Sequence, residues 1–138
     1  MNKSEILEFL NRNPVVYLAT VEGKNPRVRG MMLYRITPEG IIFHTGKTKD
    51  LHKQLGSNPQ VELCAFSQKE NMQVRLSGKA EPLEDEALKK EMVENRPFMK
   101  PWVAKYGMDL LTVWRIKPDK ACVWTMESNF EPKKYIEF

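Results

Sequence analysis

Pro26-Arg-Val-Arg-Gly-Met-Met-Leu-Tyr34 alternates in character and lies between two turn signals, Glu22-Gly-Lys-Asn25 and Thr37-Pro-Glu-Gly40. A period-two run bounded in this way is a strand with a strand to either side of it in sequence. Arg27, Arg29 and Met31 share one face, while Val28, Met32 and Tyr34 share the other. Two guanidinium groups at successive same-face positions sit roughly 7 Å apart, close enough to grip one dianion. The next strand, Ile41-Ile-Phe-His-Thr45, runs through a short loop into a helix over 48–56, with Thr48 read as its N-cap. Free amides at a helix start favour a phosphate. Arginines, hydroxyls and a helix start thus converge in one unit, and the expectation is a phosphate site rather than a solvated basic edge.

The same punctuation continues along the chain. Ser4 reads as the cap of a first helix, stopped by Asn13-Pro14, and strands are expected over 15–21, 26–35, 41–45, 61–66, 72–80, 110–116 and 121–125. A charged helix from Glu84 to Asn95 turns Leu88 and Met92 inward, and a short helix around Trp102 ends at Gly107. The tail from Ser128 to Phe138 carries aromatic residues that call for a packing partner. Short strands joined by turns predict a mainly β, antiparallel α+β fold, a barrel or a sandwich, with helices flanking it. In a barrel, the arginines of 26–35 are expected to face away from the core.

Size and charge narrow the function classes. With 138 residues there is room for one domain with a real core. Hydrophobic residues are 41% and charged residues 29%, the balance of a globular chain. No apolar run approaches the roughly 20 residues that cross a bilayer, and Met1 to Leu7 has no signal-peptide core. A cytoplasmic protein without membrane contact is the expectation. A net charge of +4 suits an anionic ligand and, equally, nucleic acid. Against nucleic acid, the basic strand offers only Tyr34 for base stacking, on the side opposite Arg27 and Arg29. Cys64 and Cys122 form no CxxC and stand in apolar runs, so no metal site is expected. His44 and His52 lack a serine or cysteine partner at a recognisable spacing, which leaves the catalytic residues unassigned.

Five segments taken in order resemble the flavin mononucleotide (FMN)-binding split-barrel family that includes pyridoxamine 5′-phosphate oxidase. They are Ala19 to Met31, Phe43 to Leu51, Asn58 to Leu63, Gln73 to Gly78, and Ile116-Lys-Pro through Trp124. The resemblance covers nearly the whole chain and is nearest to the small, stress-protein-like members. It implies an antiparallel split β-barrel with flanking helices, a single domain over 1–138, and a homodimer holding FMN in a groove between subunits. The implied cofactor set is Arg27, Val28, Arg29, Met31, His44, Thr45, Thr48 and Lys49, with Gln73 and Trp124 reaching the ring from the neighbouring subunit. It also implies an FMN-dependent oxidoreductase, with a flavin-binding module that does not turn over as the alternative, and a deazaflavin or haem as rival ligands. The oxidases of that family hold the substrate phosphate with arginines and a histidine near the carboxy terminus. Met126 to Phe138 contains neither residue type, so a substrate other than pyridoxamine phosphate is expected.

Overall fold

The computed structural model describes residues 1–138. Helix α1 (Lys3–Arg12) is followed by β1 (Val15–Glu22), β2 (Asn25–Met32), β3 (Arg35–Thr37) and β4 (Gly40–Gly46). Then come α2 (Asp50–Ser57), β5 (Gln60–Ser67), β6 (Met72–Leu83), α3 (Glu86–Asn95), α4 (Lys100–Tyr106), β7 (Leu111–Thr125) and β8 (Tyr135–Glu137). The strands form one antiparallel sheet in the order β2-β1-β5-β6-β7-β4-β3, with β8 added on β7. The sheet does not close on itself, since β2 and β3 remain edges.

The long strands β6 and β7 explain the split. β5 pairs with the first two thirds of β6, and β4 pairs with the first part of β7. The β6–β7 register shifts at Ser77/Gly78. Gly78 is required at that kink, because a Cβ there would lie 2.2 Å from the Lys117 carbonyl oxygen. The sheet therefore folds over itself around Phe43, Leu63, Leu76 and Ile116, with Phe9 and Leu10 of α1 plugging the interior. A second, smaller cluster of Leu88, Met92, Val93, Met99, Leu111 and Val113 packs α3 on the outer side of β7. Leu88 and Met92 face inward as their spacing predicts. Only the end of the tail is packed, where β8 pairs with β7 and both Ile136 and Phe138 lie against the main core, whereas Phe130 is 97% exposed.

Several expectations are corrected. The expected strands 110–116 and 121–125 are one continuous strand, β7: Pro118, opposite Gly78, falls beside the register shift, an irregularity of the kind that tolerates a proline. Strand 26–35 breaks after Met32, and residues 35–37 pair with β4 instead. Asn2 caps α1, in place of Ser4, by accepting from the Glu5 amide at 2.9 Å. His52 of α2 is half-buried and packs edge-on against Trp114, with ring centroids 5.5 Å apart.

The largest correction concerns β2. Arg27 lies opposite Thr20, Arg29 opposite Leu18, and Met31 opposite Val16, all three partners being buried. Directly opposed residues share a face, so the arginines sit on the core side of the sheet, at its open edge. Val28 and Met32 face outward beside Val15 and Tyr17, and Val28 is 68% exposed. Apolar residues on a strand mark a covered face only when nothing else needs to cover them. Here the apolar side is the outer one.

Candidate functional site

Arg29 is the centre of a polar cluster at the mouth of the split barrel. Its Nη1 donates to Thr20 Oγ1 at 2.7 Å and to the Leu18 carbonyl at 3.1 Å, and its Nη2 donates to Gln54 Oε1. Thr20 also donates to Gln54 Oε1 at 2.6 Å, and Gln54 Nε2 donates to Glu22 at 3.2 Å. Gln54 belongs to α2 and is almost fully buried. The guanidinium thus ties the first two strands to the helix that begins beside Lys49. Burial pushes the Arg29 pKa down, an effect opposed by the charge of Asp50. Arg27 takes no part in this cluster. It pairs with Glu22 in the open, Nη2 to Oε1 at 2.9 Å, and that bond is the main reason the Glu22 carboxyl titrates below its usual range.

A groove of about 480 Å³ lies beyond this cluster, where the end of β2, the β4–α2 corner and the α3–α4 segment meet. Met31, His44, Thr45, Thr48 and Lys49 of the expected set line it, whereas Arg27, Val28 and Arg29 do not. Its walls are apolar, formed by Met31, Met32, Phe98, Trp102, Val103 and Leu110. Helix α2 starts at Asp50, so the cap position falls to Lys49 rather than Thr48, and Lys49 makes no capping hydrogen bond. A cation at the positive end of a helix is electrostatically unfavourable. Asp50 in the first turn offsets part of this, and an incoming anion would offset the rest. Thr45 itself is buried, and its carbonyl accepts from Thr112 Oγ1 at 3.3 Å.

Arg96, which the sequence reading did not single out, completes this groove. It follows α3 as its C-cap and reaches back to the β2–β3 corner, where Nη2 donates to the Leu33 carbonyl at 2.8 Å. Its Nη1 lies 2.8 Å from His44 Nε2. The His44 pKa falls to about 4, mainly through burial and then through the positive charges of Arg96 and Lys49. The folded chain therefore holds His44 neutral. This contribution to stability is complete above the ordinary imidazole value and is lost as pH falls from about 6.5 toward 4. Locally Arg96 is one more cation beside a charged helix, and its partners lie 63 and 52 positions away, so no local pattern points to it.

Gln73 and Trp124 lie elsewhere. They are cross-strand neighbours on β6 and β7 and line a second groove of about 540 Å³ with Arg75, Asn129 and Lys133. The tail after β7 folds over this groove, and Trp124 Nε1 donates to Asn129 Oδ1 at 2.8 Å. Between the two grooves the outer sheet face exposes Val15, Tyr17, Val28, Met32 and Phe66. One chain therefore carries two separate parts of the expected set.

The chemistry of the first groove fits a flavin nucleotide. Lys49 and Thr48 at a helix start suit a terminal phosphate, and an apolar wall with N–H donors suits a planar ring with a polar edge.

Comparison with known proteins bears on this geometry. The family model described as pyridoxamine 5′-phosphate oxidase matches residues 3–125. A pyridoxine/pyridoxamine 5′-phosphate oxidase of Psychrobacter cryohalolentis is 39% identical over 62 residues, which are 44% of this chain and 29% of that enzyme. The match thus spans less than a third of the curated relative's length. A NimC/NimA family protein of Clostridium acetobutylicum superposes with a TM-score of 0.77 at 24% identity, covering 98% of this chain and 92% of that one. A pyridoxamine 5′-phosphate oxidase-related, FMN binding protein of Nostoc punctiforme superposes at 0.67 and 15% identity, covering 96% and 88%. Likeness at these identities shows a shared fold.

Proposed function

The chain belongs to the pyridoxamine 5′-phosphate oxidase family, and on that premise we propose that it binds FMN and acts as an FMN-dependent oxidoreductase. The observation that carries this reading is the division of the candidate residues between two grooves, separated by an exposed apolar sheet face. A homodimer formed through that face would bring the first groove of one copy to the second groove of the other. Each of two symmetric sites would then draw on both chains.

In this arrangement Thr48, Lys49 and the first amides of α2 hold the phosphate. Met31 and the apolar wall exclude water from the ring, and His44 donates toward a polar edge. Gln73 and Trp124 of the second copy close the opposite side. Arg29 acts through Gln54, fixing where α2 begins. Bound flavin would supply the hydride or electron chemistry, for which protein acid–base groups are secondary. The tail beside Trp124 offers Lys133 and Lys134 but no arginine or histidine, which supports a substrate other than pyridoxamine phosphate.

Purified protein should be yellow, release FMN on denaturation as identified by mass, and lose the colour in Lys49→Glu. Reduction of the bound flavin by a nicotinamide donor, saturating with donor concentration, should separate turnover from binding alone. Colourless protein that also refuses added FMN overturns the reading.

A further inference from the structure

The contact between Arg96 and His44 has only one chemical form. An arginine remains protonated at any working pH, and its guanidinium nitrogens only donate. With Arg96 Nη1 at 2.8 Å, His44 Nε2 must present its lone pair, which leaves the imidazole proton on Nδ1. Nδ1 makes no hydrogen bond within the chain and is not among the sealed, unpaired nitrogens, and the residue that carries it lines the groove.

Arg96 is held from behind. The Leu33 carbonyl takes its Nη2, and the guanidinium stacks over the Tyr34 ring with 5.1 Å to the centroid. Tyr34 is fixed in turn by its hydroxyl, which donates to Glu91 at 2.5 Å and accepts from Asn95 at 2.9 Å. The charges that act on His44 are those of Lys49 from the β4–α2 corner and of Arg96 after α3, both positive; Glu91 and Arg35 stand behind, bonded or stacked on the Tyr34 that lies against Arg96. The neighbouring strand β7 brings only Val113. The Glu91 carboxylate is already shared by Tyr34 and Arg35. Nothing nearby favours an imidazolium.

We propose that Arg96 is a positioning residue that fixes His44 as a neutral, groove-facing Nδ1–H donor across the physiological pH range. The ligand atom that meets it is an acceptor, a carbonyl oxygen or a ring nitrogen; naming FMN as the bearer of that atom rests on the reading above. A histidine used in this way gives a hydrogen bond that does not switch with pH, unlike the usual titrating imidazole.

The chain has two histidines, so His52→Asn in the full chain, freed of flavin, leaves His44 alone in a long-range nitrogen–proton correlation spectrum. The expected result is a proton on Nδ1 and a bare Nε2, unchanged from pH 8 to pH 5. Adding Arg96→Met should let the ring populate both tautomers and raise its midpoint, with burial and Lys49 still holding it below the ordinary imidazole value. The spectrum with Arg96 intact is decisive even if that second variant fails to fold. A proton on Nε2, or a midpoint between pH 6 and 7 with Arg96 present, overturns the proposal. Saturating FMN should then shift the Nδ1–H signal, and an unshifted signal with FMN bound overturns the donor role. Failure to bind FMN at all would overturn the flavin reading, while the tautomer would still decide what Arg96 does.

Discussion

The two grooves are supported in different ways. Around the first, polar groups are locked by bonds between residues far apart in sequence: Arg29 and Thr20 to Gln54, and Arg96 to His44 and the Leu33 carbonyl. These bonds exist only once the sheet and both helices have assembled. Around the second, Trp124 is held by Asn129, and Ser128 bonds back to Thr125, all within a few residues. The contrast teaches that a binding surface can be organised by the core on one side and by a local loop on the other. Only the first is bound to the stability of the whole chain.

Gln54→Ala should produce the largest effect. It leaves the buried Thr20 hydroxyl and part of the Arg29 guanidinium without an acceptor, costing about 2–4 kcal/mol in urea unfolding. Asn129→Ala, the counterpart in the second groove, should stay within about 0.5 kcal/mol of the parent. Equal costs for the two would break the comparison.

Next in size are the ligand effects. Lys49→Glu should weaken FMN binding on the order of 100-fold, the loss of a charge-assisted phosphate contact plus repulsion. Trp124→Ala should weaken it about tenfold through the lost aromatic wall. Unfolding and refolding the two variants together sharpens the contrast. In a mixed dimer one site carries both defects and the other carries neither. At a flavin concentration that leaves each variant empty, the mixture should take up roughly a quarter of the parental amount. No recovery on mixing would place both grooves' residues in a single-chain site.

Much of this was legible in the sequence, and the exceptions share a cause. Turn signals and period-two alternation located the strands, and Leu88 and Met92 gave the inner face of α3. Alternation could not say which side of β2 was inside, because Met31 on one face and Val28 with Met32 on the other are all apolar. Pro118 looked like a strand break, because a register shift is a property of two paired strands. The Lys49 side of the site was readable as loop chemistry next to a helix start. Arg96 was not, since its partners Leu33 and His44 lie 63 and 52 positions away. Contacts of that range are set by packing rather than by local pattern.

Arg27 makes the smallest expected difference and the finest test. It shares a strand face with Arg29, yet its guanidinium bonds Glu22 at 2.9 and 3.1 Å, and both side chains are about half exposed. An exposed pair of this kind is screened by salt and adds little to folding. If the phosphate is held by Lys49 and the start of α2, Arg27→Ala should leave the unfolding midpoint unchanged and alter FMN affinity less than about threefold. Arg29→Ala, which unties Gln54, should lower both. A tenfold or greater loss of affinity in Arg27→Ala, with stability intact, would mean that Arg27 leaves Glu22 for the phosphate when ligand arrives. The preorganised groove would then be one that rearranges on binding.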